Sequence, residues 1–161
     1  MTASIEKLAE ETGLALKKQG LMLVTAESCT GGGISYWITH IPGSSDWFER
    51  GFVTYSDISK MELLGINPQT IENFGAVSEQ TAREMAQGAL QHSHGDMSIA
   101  VTGIAGPSGG SRDKPVGTVW IAWAKREAFV YAEKQLFSGD REAIRQKTIE
   151  TALKKLLELI E

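Results

Sequence analysis

The sequence predicts a single three-layer α/β/α domain, residues 1–161, built on a mixed sheet of about five strands. Three observations carry that expectation. Helical periodicity alternates with short apolar runs as far as residue 102, the pattern of parallel strands joined by crossover helices. The apolar runs end in small, hydroxyl-bearing or glycine residues, as strands do where they feed a loop. The last two β-rich runs are separated only by Lys125, Arg126 and Glu127, too few residues for a parallel crossover, so they form an antiparallel hairpin.

The first helix is read from Ile5, Leu8, Thr12, Ala15 and Leu16, which share a face at the 3.6-residue period, with Gly20 as its stop. A buried strand runs from Leu21 to about Ala26. Gly31, Gly32 and Gly33 then open a second helix through Ile34, Trp37 and Ile38, which ends at the Ile41-Pro42-Gly43 loop. Phe48 to Tyr55 is a strand of mixed polarity, and Ser56 to Leu64 a short helix with Ile58, Met61 and Leu64 on its apolar side. The stretch around Asn67-Pro68 is read as turn. Ser78 is an N-cap for a helix carrying Ala82, Met85, Ala86, Ala89 and Leu90. A third strand, Asp96 to Thr102, enters the small-residue loop Gly103 to Ser111. The hairpin strands are Val116–Ala124 and Ala128–Phe137, and the last helix starts near Asp140 and buries Ile149, Leu153, Leu156, Leu157 and Ile160.

Composition narrows the function classes. A hydrophobic share of 42% with 22% charged residues is the balance of a water-exposed globular domain, and no apolar run approaches the roughly 20 residues of a membrane span. The acidic, amphipathic N-terminus lacks the basic start and apolar stretch of a secretory signal, so a cytoplasmic location is expected. A net charge of -4 argues against a nucleic-acid surface, which needs a concentrated positive field. The one cysteine, Cys29, supplies neither a disulfide nor a thiolate metal cluster, and no cofactor is expected.

Ligands of open α/β sheets gather at the carboxyl ends of strands, where Glu27–Gly33, Tyr55–Lys60 and Thr102–Ser111 converge. Ser28, ahead of a helix, is either a nucleophile beside the helix's positive end or an ordinary cap, a role open also to Thr30. Cys29 is a second possible nucleophile, though a lone cysteine is usually a small buried hydrophobe. His40, His92 and His94 all lie away from the strand ends, which argues against a Ser-His-Asp arrangement. Lys60 is the alternative base if burial among Ile58, Met61 and Leu64 removes its charge; otherwise it is a solvated lysine. Gly31-Gly32-Gly33 is not a dinucleotide fingerprint, because Tyr36 occupies the third glycine position. The 103–111 loop lacks the Gly-Lys-Ser/Thr ending of a P-loop; with Ser108, Ser111, Arg112 and Lys114 it is either suited to a phosphate without magnesium or a mobile surface turn.

Six ordered motifs resemble the CinA C-terminal domain family over nearly the whole chain: Thr25–Gly32, Gly51–Ser56 with Lys60, Gly75–Ser78, Thr102–Pro107 with Gly109-Gly110, Lys114–Thr118 and Phe137–Arg141. The resemblance implies hydrolysis of the carboxamide of nicotinamide mononucleotide to nicotinate mononucleotide and ammonia, by a serine/lysine dyad without metal. It implies Ser28 as nucleophile, Lys60 as base, and Tyr55 and Thr102 as supporting hydroxyls that orient the dyad or the amide. Glu27, Thr30, Gly31, Thr102, Gly103 and Arg141 are the substrate contacts expected with them, Arg141 at the phosphate. Asp57 stands where members of the family frequently carry asparagine and opposes deprotonation of Lys60. A nucleotide-binding sensor module without turnover is the competing expectation. Four tryptophans, Trp37, Trp47 and Trp123 among them, together with the family's behaviour, lead to the expectation of a homodimer.

Overall fold

Leu23–Glu27 (β1) is buried along its whole length because it pairs on both sides and is covered on both faces. The computed structural model describes residues 2–160; Met1 and Glu161, the ends of the expected domain, lie outside the described residues. β1 runs parallel to Phe48–Val53 (β2) on one side and to Met97–Gly103 (β3) on the other. β3 pairs antiparallel with Thr118–Lys125 (β4), which forms the expected hairpin with Phe129–Leu136 (β5). The sheet order is β2-β1-β3-β4-β5, mixed and five-stranded as the sequence predicts.

Three helices cover each face. Thr2–Gln19 (α1), Gly33–His40 (α2) and Arg141–Ile160 (α6) enclose a core of large side chains, with Leu23, Ile99, Val101, Ile121 and Trp123 rising from the sheet. The Trp123 indole is fully buried and donates to the Ala152 carbonyl at 3.0 Å, satisfying its one polar group. Asp57–Leu64 (α3), Pro68–Phe74 (α4) and Glu79–Gln91 (α5) cover the other face. That face is built differently. Ala26, Ala100, Ala122 and Ala132 lie side by side across four strands, and α5 meets them with Ala82, Ala86 and Ala89. Small groups on both sides bring the α5 backbone close to the sheet.

Gly88 extends this close fit to α3. A Cβ there would collide with the carbonyl oxygen of Leu64, so the end of α3 rests directly on the α5 backbone. The Ser56 hydroxyl caps the start of α3 by accepting from Ser59 N at 3.1 Å, and Gly65, at φ 70°, closes its end.

Several sequence expectations need correcting. The Asn67-Pro68 stretch is not turn but the start of α4: the Asn67 side chain accepts from Gln69 N, and proline occupies the first turn, where it needs no donor. Ile58 is not on the inner side of α3 but 62% exposed; Lys60 and Leu64, one turn apart, are the buried pair. Leu157 is only half-buried on α6. Trp47 and Trp123 belong to the core, so they offer no surface to a second copy. Among the described residues no helix is long and apolar enough to cross a membrane.

Candidate active site

The two-residue period of β1 gives its last two positions opposite tasks. Glu27 points into the α2 layer, and Ser28 points toward α3. Ser28 N still donates to the Val101 carbonyl at 3.1 Å, so the serine extends the β1–β3 pairing and is held by the sheet. β1 and β3 are also where the connections diverge, since α2 follows β1 on one face and α5 precedes β3 on the other. Such a divergence opens a crevice at the strand ends.

Lys60 reaches into that crevice from the inner face of α3, with only 1% of its surface exposed. Its Nζ lies 3.1 Å from Ser28 Oγ, 2.9 Å from the Thr54 carbonyl and 3.2 Å from the Tyr55 carbonyl. As an ammonium the group donates to all three. As a neutral amine it donates to the two carbonyls and turns its lone pair to Ser28, whose hydroxyl becomes the donor. Burial lowers the lysine below its ordinary value, and this outweighs the opposing pull of the Asp57 carboxylate. The lysine is therefore neither a solvated surface group nor enclosed by Ile58; it is buried, with two carbonyls holding its amine.

Ser28, Lys60, Tyr55, Val77, Thr102 and Gly103 line a cavity of about 180 Å³. Thr102 is on the same face of the sheet as Ser28, and its hydroxyl donates to the Ala76 carbonyl at 2.8 Å. The Tyr55 ring is largely exposed at the rim, where its hydroxyl accepts from Arg141 Nη2 at 3.0 Å. Arg141 also donates through Nη1 to the Gly106 carbonyl at 2.8 Å, linking the rim to the loop after β3.

Glu27, Thr30 and Gly31 are not brought to this cavity. The Glu27 carboxylate is fully buried and saturated: it accepts from Thr30 Oγ1 at 2.6 Å, Ile34 N at 2.8 Å, Ser35 N at 2.9 Å and Ser35 Oγ at 2.6 Å. It anchors the head of α2, with its negative charge at the helix's positive end, and has no free lone pair directed at a substrate. The Thr30 hydroxyl is committed to that anchor, and Gly31 makes the turn at φ 59°. Cys29 is buried and its thiol is pushed up to about 12 by that burial, which removes it as a nucleophile. Lys114 is not in the lining of this cavity and donates to the Phe74 carbonyl at 2.7 Å, while Ser108, Ser111 and Arg112 are exposed.

Two contributors escaped the sequence reading. The Thr54 carbonyl holds Lys60 with a backbone atom, for which no side-chain signal exists. Arg145 clamps the 28–31 turn, donating from Nε to the Cys29 carbonyl and from Nη2 to the Thr30 carbonyl, both at 3.1 Å. Its signal was available: it stands four residues after Arg141 on the same face of α6.

Fold and site together define an α/β/α protein with a buried serine–lysine pair in the strand-end crevice of a mixed sheet. The chain belongs to the CinA family: the model of the CinA C-terminal domain matches residues 5–160. It is 51% identical over 157 residues to the nicotinamide-nucleotide amidohydrolase PncC of Enterobacter agglomerans, covering 95% of this chain and 96% of that protein. It is 47% identical over 154 residues to the protein of the same name from Escherichia coli strain K12, covering 96% and 93%. The crystal structure of the competence/damage inducible protein CihA from Agrobacterium tumefaciens superposes with a TM-score of 0.96 at 46% identity, covering 98% of this chain and 96% of that one.

Proposed function

We propose that this chain is a nicotinamide-nucleotide amidohydrolase in which Ser28 attacks the carboxamide carbon and Lys60 moves the protons. The single observation that carries the mechanism is the 3.1 Å approach of a buried, depressed-pKa lysine to the strand-end serine. The named relatives, similar over nearly their whole length, support the substrate.

Neutral Lys60 takes the Ser28 hydroxyl proton as Oγ bonds to the carboxamide carbon, and the carbonyl becomes an oxyanion. The resulting ammonium returns that proton to the amide nitrogen, the C–N bond breaks, and ammonia leaves an ester on Ser28. Water then gives a proton to Lys60 and attacks the ester; as the bond to Ser28 Oγ breaks, Lys60 returns that proton to the serine oxygen, and nicotinate mononucleotide leaves with Ser28 and neutral Lys60 restored. Thr102 lines the crevice beside the serine. Tyr55 and Arg141 form its rim, where Arg141 holds the Tyr55 hydroxyl in place.

Ammonia release from nicotinamide mononucleotide tests the reading. Ser28→Ala and Lys60→Ala are each expected to lose roughly three orders of magnitude or more in kcat. An active Ser28→Ala protein would sink the mechanism. Asp57, beside Lys60, favours a second reading: a nucleotide-binding module whose lysine stays charged and does not turn over. Tight binding of the nucleotide without ammonia release would favour that one.

We further propose a cytoplasmic homodimer. Val53, Tyr55 and Ile58 are exposed beside the free edge of β2, an edge that a second copy would cover. A monomer mass by light scattering at micromolar concentration refutes the dimer.

A further inference from the structure

A second cavity, about 510 Å³, opens between α2 and α6. The two linings have no residue in common, although Arg141 also reaches Tyr55 at the rim of the Ser28 crevice: the 28–31 turn divides them, with Ser28 and Cys29 on one side and Thr30 on the other. Nothing in the amide-cleaving cycle uses it. Its volume falls in the range of cavities that enclose a whole small ligand, whereas a bare phosphate needs far less.

Its walls make three chemical demands on an occupant. Arg141 and Arg145 bring two guanidinium groups to one side, and each retains N–H donors beyond those given to carbonyls and to Tyr55. They call for an anion. Trp37, half-buried on α2, stands edge-on to Tyr36 and His40, with ring centroids 5.3 and 5.2 Å away, and with Ile149 it forms an apolar wall. That wall calls for a flat ring. Gln146 lines the cavity with an unsatisfied carboxamide: its Oε1 is buried without a hydrogen-bond partner. Rotation of the amide toward a ligand N–H or O–H would give it one. The exposed Glu142 on the rim is the one opposing charge.

A nucleoside phosphate satisfies all three demands, with its phosphate on the arginines, its sugar hydroxyls or base amino group at Gln146, and its base against Trp37. We infer that the α2–α6 cavity is a nucleoside-phosphate site separate from the amide-cleaving crevice. Arg145 links the two, because the same guanidinium holds the Cys29 and Thr30 carbonyls of the nucleophile turn.

Calorimetric titration of the full chain with adenosine 5′-monophosphate, ribose 5-phosphate and adenosine tests this. The monophosphate is expected to bind one per chain, with the two fragments each roughly tenfold weaker or more. Glu142→Gln should tighten the monophosphate by roughly two- to fivefold, because it removes a like charge from the rim. Trp37→Leu should weaken it by roughly fivefold while leaving ribose 5-phosphate unchanged. Both variants keep ammonia release from nicotinamide mononucleotide at the wild-type level. In the Ser28→Ala protein, saturating nicotinamide mononucleotide should leave adenosine monophosphate binding in place. Three results each overturn the inference: no binding at millimolar monophosphate, ribose 5-phosphate binding as tightly as the nucleotide, or displacement by nicotinamide mononucleotide. Loss of ammonia release with intact monophosphate binding would instead defeat the amidase reading alone.

Discussion

Lys60 Nζ stands 3.1 Å from Ser28 Oγ although 32 residues separate the two in sequence. The strand end fixes one partner and a two-turn helix fixes the other, so the chemistry depends on how α3 is seated as much as on either residue.

The proposed mechanism uses neutral Lys60, so kcat/KM is expected to rise with pH through the lysine's value in the free enzyme, which burial sets below that of an ordinary lysine. Asp57 raises that value, so Asp57→Asn should move the acid limb to lower pH. A pH profile of ammonia release for the two proteins measures this; an unmoved limb would mean that another group titrates.

The same lysine makes stability pH-dependent. Its value is lowered in the folded state, so in the window from that value up to the ordinary lysine range the unfolded chain binds more protons. Stability therefore rises with pH across that window, and the cost of burying the charge is greatest below it. Lys60→Met should be more stable than wild type near neutral pH, with the gap shrinking as pH climbs toward about 10.5. Urea midpoints at a series of pH values check it.

Glu27→Gln keeps one accepting oxygen but turns an NH2 toward donors. The loss of charge-assisted bonds is expected to cost about 2–3 kcal/mol. For a domain of this size that is a fall in Tm of roughly 5–10 °C, readable by calorimetry. A Tm unchanged by the substitution would contradict the anchor.

Gly88→Ala tests the seating of α3 from a distance. The added methyl must displace the Leu64 carbonyl and with it the helix that carries Lys60. The expected result is a kcat reduced by roughly tenfold or more with KM little changed, since a misplaced base affects chemistry more than binding. A kcat loss no larger than the loss of folded protein, read by circular dichroism, would point to general unfolding.

Cys29 should resist alkylation by iodoacetamide at pH 8 in the native protein and react once urea unfolds the chain, because its thiol is buried and pushed up to about 12. Cys29→Ala is expected to keep at least half of the wild-type activity.

The fold was largely legible because its determinants are local and periodic. Ala82 through Leu90 gave α5, and three residues between apolar runs gave the hairpin. What escaped was set by partners distant in sequence. Asn67-Pro68 carries turn chemistry that also serves as a helix start, and α4 was missed because its seven residues show little periodicity. Ile58 was assigned inward because an apolar residue outranks a lysine by hydrophobicity; carbonyl acceptors at 54 and 55 reverse that order. Ser28 and Lys60 were singled out from their positions and the family motif, whereas Glu27, in the same motif, was assigned to substrate when its hydrogen bonds make it a helix anchor.

The crevice holding Ser28 is a gap left by diverging connections, not a hollow carved among large side chains. Its width is tied to the spacing of two adjacent strands, and its 180 Å³ lies below the roughly 300–1,000 Å³ of sites that swallow a whole ligand. In the proposed reaction it would work as a slot gauge: a planar ring enters amide first, while anything attached to the ring's far side remains outside. Discrimination among molecules that share the same amide therefore falls to the rim, and loops there can change the accepted tail without disturbing the reaction.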